Sequence, residues 1–383
     1  MKVRGLIMAG AVAVAAIWPH QGKADDIKLP DTLAWSAYGT KSTGYAQAVA
    51  IGKALKDSFG VSLRIVPGKN DISRLTPLMS DKVQFSANGS GTYFASEGVF
   101  NFATKDWGPQ PLRLLMSATS DANLSVATAA DANIKTPKDL KGKRVAYVRS
   151  SPALVIGVEA MLAFADLTWD DVEKVEFSGY AASWKGMVNG QVDAAFGSTV
   201  TGPSKNLEAS PRGIYWPPMA HDDEAGWKRL MAKAPYFVKH VATLGTGISA
   251  DKPHVGGAYP YPILITRADQ DAALVYSMTK AIHSKYDSFK DAMKAMKGWA
   301  LENQAFMWSV PYHDAAVKYW KEVGAWTDAM DQHNRMLIKR QDVLAAAWKD
   351  MTAKNVAEDV FKDEWMKVRA AALEKAGFDP VWK

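Results

Sequence analysis

The chain has 383 residues, with 46 basic and 40 acidic side chains and no cysteine. This near balance of charge, without a basic run, argues against a nucleic-acid-binding protein, and the lack of cysteine excludes disulfides, thiolate catalysis and cysteine-ligated metals. With 48% hydrophobic residues and no long low-complexity tract, a chain of this length is expected to fold as two lobes.

The N-terminal segment has the organisation of a secretory leader. Two basic residues, Lys2 and Arg4, precede a short apolar run over residues 7–18, and small residues follow before Asp25. The run is too short to span a bilayer comfortably, and no later segment reaches 18 uninterrupted apolar residues. We therefore predict a cleaved signal peptide over residues 1–24 and a soluble mature chain in the periplasm.

The segment after the leader alternates strand-like and helix-like patterns. Strands are predicted over residues 33–37, 61–66 and 83–87, and helices over residues 45–59 and 73–79. Such alternation is typical of a mainly parallel sheet, in which the functional loops follow the carboxyl ends of the strands.

A second unit repeats this order. Its predicted strands are residues 143–148, 172–177 and 192–196, and its predicted helices are residues 153–164 and 182–188. The spacing between equivalent points is nearly constant, since Thr40 and Ser151 are 111 residues apart and so are Gly68 and Gly179. We interpret the two units as structurally equivalent lobes.

Further strands connect the two units. Strands predicted at 112–116 and 124–127 lead out of the first lobe, and a strand at 263–266 with a helix at 271–286 returns to it, so the chain crosses twice. Helices are predicted at 345–354 and 361–376. The predicted architecture is α/β, with two lobes joined by crossing hinge strands. Its divisions are residues 25–120 plus 255–330 for lobe I, 121–254 for lobe II, and 331–383 for a C-terminal helical extension packing on lobe I.

Six loops that follow predicted strands are expected to face the cleft between the lobes. They are rich in small polar residues and cover residues 39–45, 67–73, 88–93, 149–153, 178–183 and 197–202. Ligands of open α/β sheets bind at such loops, and helix N-termini with free amides attract anions. Lys41 or Arg149 could add positive charge. The alternative is that these residues are N-caps and turn residues that serve only the fold.

Catalytic and metal-binding motifs are incomplete. The stretch AYGTKSTGYAQ at residues 37–47 has a lysine and a hydroxyl but lacks the glycines of a nucleotide-binding loop. Ser249 and Lys252 have the spacing of a penicillin-recognising enzyme without its partner motifs. The four adjacent residues from His221 to Glu224 cannot all face one ion. We therefore expect no enzymatic activity, no metal and no cofactor.

Six stretches carry a family resemblance over about residues 33–286. In chain order they are GTKSTGYAQ, VPGKNDISRL, FSANGSGTYFASEG, DLKGKRVAY, NGQVDAAF and PILITRAD. Together they resemble the solute-binding component of a TRAP transporter of the TAXI type. The resemblance implies a bilobal fold like that of type II periplasmic binding proteins. It also implies capture of a small organic anion, a carboxylate, and delivery to TRAP permease subunits driven by an ion gradient.

The resemblance also implies the ligand contacts, and we expect a monomer or weak dimer. The implied contacts are Thr40, Thr43, Tyr45, Asn70, Ser73, Asn88, Tyr93, Ser151, Tyr180 and Ser198. The segment Ser151-Pro-Ala-Leu154 departs from the glycine- and serine-rich loop of the family, and this departure allows a bulkier, more aromatic or monocarboxylic ligand. Two alternatives remain open: a ligand-sensing receptor of the same fold that signals to a membrane sensor, and a two-lobed enzyme.

Overall fold

The computed structural model describes residues 27–383, so the predicted signal peptide lies outside the described residues. The strands are β1 (Thr32–Tyr38), β2 (Ser62–Gly68), β3 (Phe85–Asn88), β4 (Leu112–Ser117), β5 (Leu124–Ala129), β6 (Arg144–Tyr147), β7 (Glu173–Glu176), β8 (Ala194–Ser198), β9 (Ile214–Tyr215), β10 (Val238–Ala242), β11 (His254–Ala258) and β12 (Ile263–Arg267). The α-helices are α1 (Thr43–Phe59), α2 (Asp71–Met79), α3 (Gly91–Glu97), α4 (Pro152–Phe164), α5 (Tyr180–Val188), α6 (Gly202–Glu208), α7 (Glu224–Lys233), α8 (Ala272–Ser284), α9 (Asp314–Glu322), α10 (Asp328–Thr352) and α11 (Glu358–Lys375).

Most strands belong to two five-stranded sheets of equivalent design. The first has the order β2-β1-β3-β12-β4, and the second has the order β7-β6-β8-β5-β9. In each sheet the first three strands are parallel, and the strand beside them, β12 or β5, is antiparallel. The predicted α/β bilobal fold is therefore confirmed, and the predicted parallel β-α-β-α-β units form the corresponding half of each sheet.

The chain crosses between the sheets twice. One connection runs from β4 to β5. The other runs from β9 of the second sheet through the two-stranded sheet of β10 and β11 to β12. They are joined where the Tyr261 amide donates to the Ala118 carbonyl at 2.8 Å. The two crossings therefore lie side by side between the lobes, as hinge strands do. The exact residue bounds of lobe I and lobe II stay predictions.

Helix α1 shows how the local sequence sets the elements around the cleft. Its N-cap Ser42 accepts a hydrogen bond from the Tyr45 amide, and it ends at Gly60, whose φ of 73° lies in the left-handed region that glycine adopts readily. The face with Gln47, Ile51 and Leu55 is buried. Capping and one apolar face thus fix the helix against the first sheet.

The C-terminal helices pack beside α3. Ala347 and Met351 of α10 join Phe361 and Trp365 of α11 in a small apolar cluster with Ala103. The helix predicted at residues 345–354 is the end of α10, which begins at Asp328 and has 25 residues. Helix α3 was not predicted, because all seven of its residues are buried and it has no polar face to produce a helical pattern.

Candidate functional site

A cavity of about 580 Å³ lies between the two sheets, at the ends of their parallel strands. All six loops that the sequence indicated contribute residues to its wall, including Gly39, Lys69, Ser90, Ser151, Tyr180 and Ser198. The volume lies within the usual range for a small organic ligand. The loops therefore meet at one site because both sheets direct their strand ends toward the same cleft.

Aromatic side chains form much of the cavity wall. Tyr38, Tyr180, Tyr259, Tyr261 and Phe196 line it. Tyr38 and Tyr261 pack edge to face with ring centroids 5.1 Å apart. Burial raises the pKa of Tyr261 to about 12, so its hydroxyl stays neutral and can donate a hydrogen bond. The site can thus receive an apolar or aromatic ligand body and orient it through phenol groups.

A buried ion pair forms one part of the wall. Arg74 and Asp71 are bonded to each other, and their side chains are 5% and 0% exposed. The Arg74 guanidinium lies 4.0 Å from the centre of the Tyr38 ring, and its Nε donates to Asn88 Oδ1 at 3.3 Å. A side chain at Gly68 would collide with Arg74, since its Cβ would lie 2.5 Å from Arg74 Cγ. Gly68 therefore permits this close packing.

Two hydrogen bonds cross the cleft directly. Thr43 Oγ1 at the start of α1 donates to the Val200 carbonyl at 3.0 Å. The Ala153 amide at the start of α4 donates to Asp71 Oδ2 at 3.1 Å. Each bond joins a residue of the first lobe to a residue of the second lobe. The cavity is consequently enclosed by contacts that exist only while the lobes are together.

The start of α5 offers unused hydrogen-bond donors. Its N-cap is Gly179, which has no side chain to cap the helix. Within residues 27–383, the amides of Tyr180, Ala181 and Ala182 have no protein acceptor, and all three residues line the cavity. Because free amides and the helix dipole both favour negative charge, this wall suits an anionic group.

Two exposed lysines are among the lining residues. Lys41 and Lys69 line the cavity, and neither has a carboxylate within ion-pair distance in the described part of the chain. The wall therefore carries more positive than negative charge, since Asp71 balances Arg74.

The eleven predicted ligand residues divide between the cavity and its surroundings. Those that line the cavity are Thr40, Ser151, Tyr180 and Ser198. Tyr180 also donates from its hydroxyl to Thr201 Oγ1 at 2.7 Å. The other seven lie outside the lining: Thr43, Tyr45, Asn70, Ser73, Asn88, Tyr93 and Arg149. The roles of all eleven in binding stay predictions.

Several of these seven residues have local structural contacts. Asn70 and Ser73 form a reciprocal capping box at the start of α2. Their contacts are therefore those of helix-capping residues that serve the fold. Tyr93 packs on Tyr236 and Trp382. Tyr45 packs at the edge of the hydrophobic core.

Of the remaining three, Thr43 bonds across the cleft to Val200, and Asn88 and Arg149 lie away from the cavity surface. Asn88 is fully buried behind the wall, where it supports Arg74. The Arg149 side chain is 75% exposed and pairs with Glu176 at 2.8 Å, so its charge is already compensated away from the main cavity.

Sequence reasoning missed the most buried wall residues. Asp71 and Arg74 lie inside the stretch PGKNDISRL, in which the sequence resemblance indicates Asn70 and Ser73 instead. Tyr259 and Tyr261 lie on the return crossing. Because they are not in a loop after a parallel strand, a search of such loops does not find them. Tyr38 directly precedes Gly39, and this position at a strand end was an available signal.

The sequence model of the NMT1-like family matches residues 39–324 of the chain. The chain belongs to this family. The match covers every strand from β2 to β12 and ends just before α10, so the two C-terminal helices α10 and α11 lie beyond it. Within residues 27–383, no helix is both long and apolar enough to cross a bilayer.

Solved structures also align with the chain. A protein from Bordetella bronchiseptica is 17% identical, with 78% of this chain and 90% of that one covered and a TM-score of 0.45. The periplasmic aliphatic sulphonate-binding protein SsuA from Escherichia coli is 14% identical, with 72% and 80% covered and a TM-score of 0.41. A periplasmic binding protein of an ABC transporter from Brucella ovis, with glutathione bound, is 10% identical, with 69% and 70% covered and a TM-score of 0.43.

Proposed function

We propose that the protein is a periplasmic substrate-binding protein that encloses a small organic anion between its lobes and delivers it to a membrane permease. The observation that carries this proposal is the cavity of about 580 Å³, whose wall comes from both sheets and is spanned by hydrogen bonds across the cleft. Membership in the NMT1-like family and the paired crossings between the sheets support it.

The anionic character of the ligand follows from the donors on the wall. The free amides of α5 and the charges of Lys41 and Lys69 favour a carboxylate or a similar group. The tyrosines favour an apolar or aromatic remainder. Thr40, Ser151, Tyr180 and Ser198 are the predicted contacts that this arrangement supports best.

Binding and closure are coupled in this proposal. The two bonds across the cleft form only in the closed state, so a ligand that contacts both lobes stabilises that state. The proposed role is capture and release without turnover. A ligand recovered chemically unchanged after prolonged incubation, as measured by mass spectrometry, is the expected result, and conversion of the ligand would revive the enzyme alternative.

The permease is proposed to be of the TRAP type, driven by an ion gradient, as the sequence resemblance implies. An ABC permease, the type named for the Brucella ovis protein, is the alternative. Uptake into membrane vesicles with this protein present distinguishes the two. Dependence on an ion gradient without ATP is expected, and strict dependence on ATP would replace the TRAP partner with an ABC partner.

Direct binding tests the ligand class. Organic acids, neutral sugars and amines are screened by thermal shift, and each positive compound is measured by isothermal titration calorimetry. We expect stabilisation by acids that have an apolar or aromatic body. Stabilisation by sugars or amines alone would refute the anionic ligand, and no binding by any class would refute the substrate-binding function.

A further inference from the structure

Asp71 connects the two lobes at the cavity wall through a fully buried carboxylate. Its Oδ1 accepts a hydrogen bond from Arg74 Nη2 of the same helix, and its Oδ2 accepts one from the Ala153 amide of α4 at 3.1 Å. Gly91 leaves room for this group, because a Cβ there would lie 2.6 Å from Asp71 Cγ. The carboxylate is therefore held in a fixed position by both lobes.

All first-turn amides of α4 are accounted for without a ligand. Pro152 has no N–H, and the amides of Leu154 and Val155 donate to the Ser151 carbonyl at 3.0 and 3.2 Å. The Ala153 amide donates to Asp71, while the Ser151 side chain caps nothing. The start of a helix binds anions through its free N–H groups, so this end of α4 has already bound a carboxylate of the protein itself.

Helix α5 provides the contrast. It also begins at the cavity, but its first three amides have no acceptor within residues 27–383 and no carboxylate faces them. The cavity thus offers free backbone amides at α5 and none at α4. An anionic group of the ligand is favoured near α5 and disfavoured near Asp71, because two carboxylates in a buried site repel each other.

We propose that Asp71 determines specificity by occupying the place between Arg74 and α4 that a second ligand carboxylate would need. The cavity then selects organic monoanions with an apolar or aromatic body and rejects dicarboxylates. Tyr38, Tyr259 and Tyr261 supply the surface for that body. This inference rests on the proposed organic-anion-binding function and specifies its ligand class.

The first experiment removes the internal carboxylate and supplies a replacement. Asp71→Ala is titrated with sodium acetate in exchange for chloride at constant ionic strength, and its melting temperature is recorded. We expect a saturable rise of several degrees, because acetate can enter the vacated space and bond to Arg74 and the Ala153 amide. The wild type and Asp57→Ala, which removes a carboxylate that is 59% exposed, keep Asp71 in place and should show a clearly smaller rise.

Two results would overturn the proposal at this stage. One is a folded Asp71→Ala protein, verified by circular dichroism, that gains no more stability from acetate than from chloride. The other is an equal saturable rise in the wild type. Should Asp71→Ala fold only in acetate and not in chloride, that requirement would itself support the proposal.

The second experiment keeps the side-chain shape and removes only the charge. Asp71→Asn and the wild type are titrated calorimetrically with hexanoate and adipate, which have six carbons and one or two carboxylates. We expect the wild type to bind hexanoate more tightly than adipate. In Asp71→Asn, the ratio of the adipate to the hexanoate dissociation constant should fall about tenfold. A wild type that binds both acids equally, or an unchanged preference in the variant, would contradict the proposal.

These outcomes distinguish a failure of the proposed organic-anion function from a failure of the proposed role of Asp71. Wild-type protein that binds neither acid counts against the proposed organic-anion function. The acetate titration of Asp71→Ala, compared with that of the wild type, still decides whether Asp71 occupies a carboxylate position, because only the variant has the vacated space between Arg74 and α4.

Discussion

The buried carboxylate of Glu97 holds the C-terminal helices against α3, and its removal should weaken the whole chain. Glu97 Oε1 accepts from Arg340 Nε at 2.6 Å, and Oε2 accepts from Arg340 Nη2 at 2.8 Å and also from Arg369 Nη2. Both arginines also hold the tail, since Arg340 donates to the Asp379 carbonyl and Arg369 donates to the carbonyls of Pro380 and Trp382. One carboxylate therefore organises two helices and the C-terminal residues.

The expected magnitude follows from burial. The side chain of Glu97 is 3% exposed, that of Arg369 is 0% exposed and that of Arg340 is 11% exposed, so solvent cannot replace the lost partner. Breaking a buried pair by removing one member typically costs about 3 to 5 kcal/mol, because the remaining charge is left uncompensated. Glu97→Gln should therefore lower the free energy of unfolding by about this amount.

Urea denaturation, followed by circular dichroism and tryptophan fluorescence, measures the effect. The matched control is Asp57→Asn in the Lys53–Asp57 pair, whose side chains are 76% and 59% exposed. Such surface pairs contribute about 0 to 1 kcal/mol. A Glu97→Gln variant that loses no more stability than the control would refute the idea that this network anchors the C-terminal helices.

Three further predictions concern the cleft, the tail and pH. Thr43→Val removes the bond to the Val200 carbonyl and should weaken ligand affinity about fivefold by calorimetry, whereas Thr352→Val in the exposed end of α10 should not; equal effects would contradict this. Trp382→Phe loses the indole bond to the Lys233 carbonyl and should lower stability by about 1 kcal/mol in urea titrations; an unchanged midpoint would show that this bond contributes nothing. Burial lowers the pKa of His254, so unfolding takes up a proton below about pH 6.5. Stability should therefore fall from pH 7 to pH 5 by at most about 1.4 kcal/mol per pH unit, and His254→Gln should reduce this slope in pH-dependent melting; an identical slope would exclude His254 as a source.

The fold was largely predictable because its strands and helices alternate in a regular order. Residues 33–37 and 143–148, predicted as equivalent strands, are β1 and β6 of two sheets with matching strand order. The ribbon of β10 and β11 was not predicted. Its residues Val238 and Val241 are exposed and His254 is buried, so the alternation of apolar and polar residues that indicates a strand is weak there.

Individual wall residues were harder to predict than the loops that carry them. Asn70 and Asp71 are neighbours in sequence, yet Asn70 caps its own helix and Asp71 faces the cleft. Successive helix residues point about 100° apart, so the orientation of α2 decides which of them meets a ligand. That orientation depends on packing against the first sheet, which loop composition does not reveal.

The asymmetry between α4 and α5 connects these points. Both helices follow parallel strands of the second sheet, and from composition alone either start could bind an anion. Pro152 has no N–H to donate at the start of α4. The next amide, that of Ala153, donates to Asp71 of the opposite lobe. Arg74 of the same helix offsets part of the cost of desolvating that carboxylate, and the Ala153 amide of the other lobe adds its share only when the lobes are together. Asp71 thus favours closure on ligands whose charge lies elsewhere, and a ligand with a carboxylate at that point would have to separate the very groups that close the cleft.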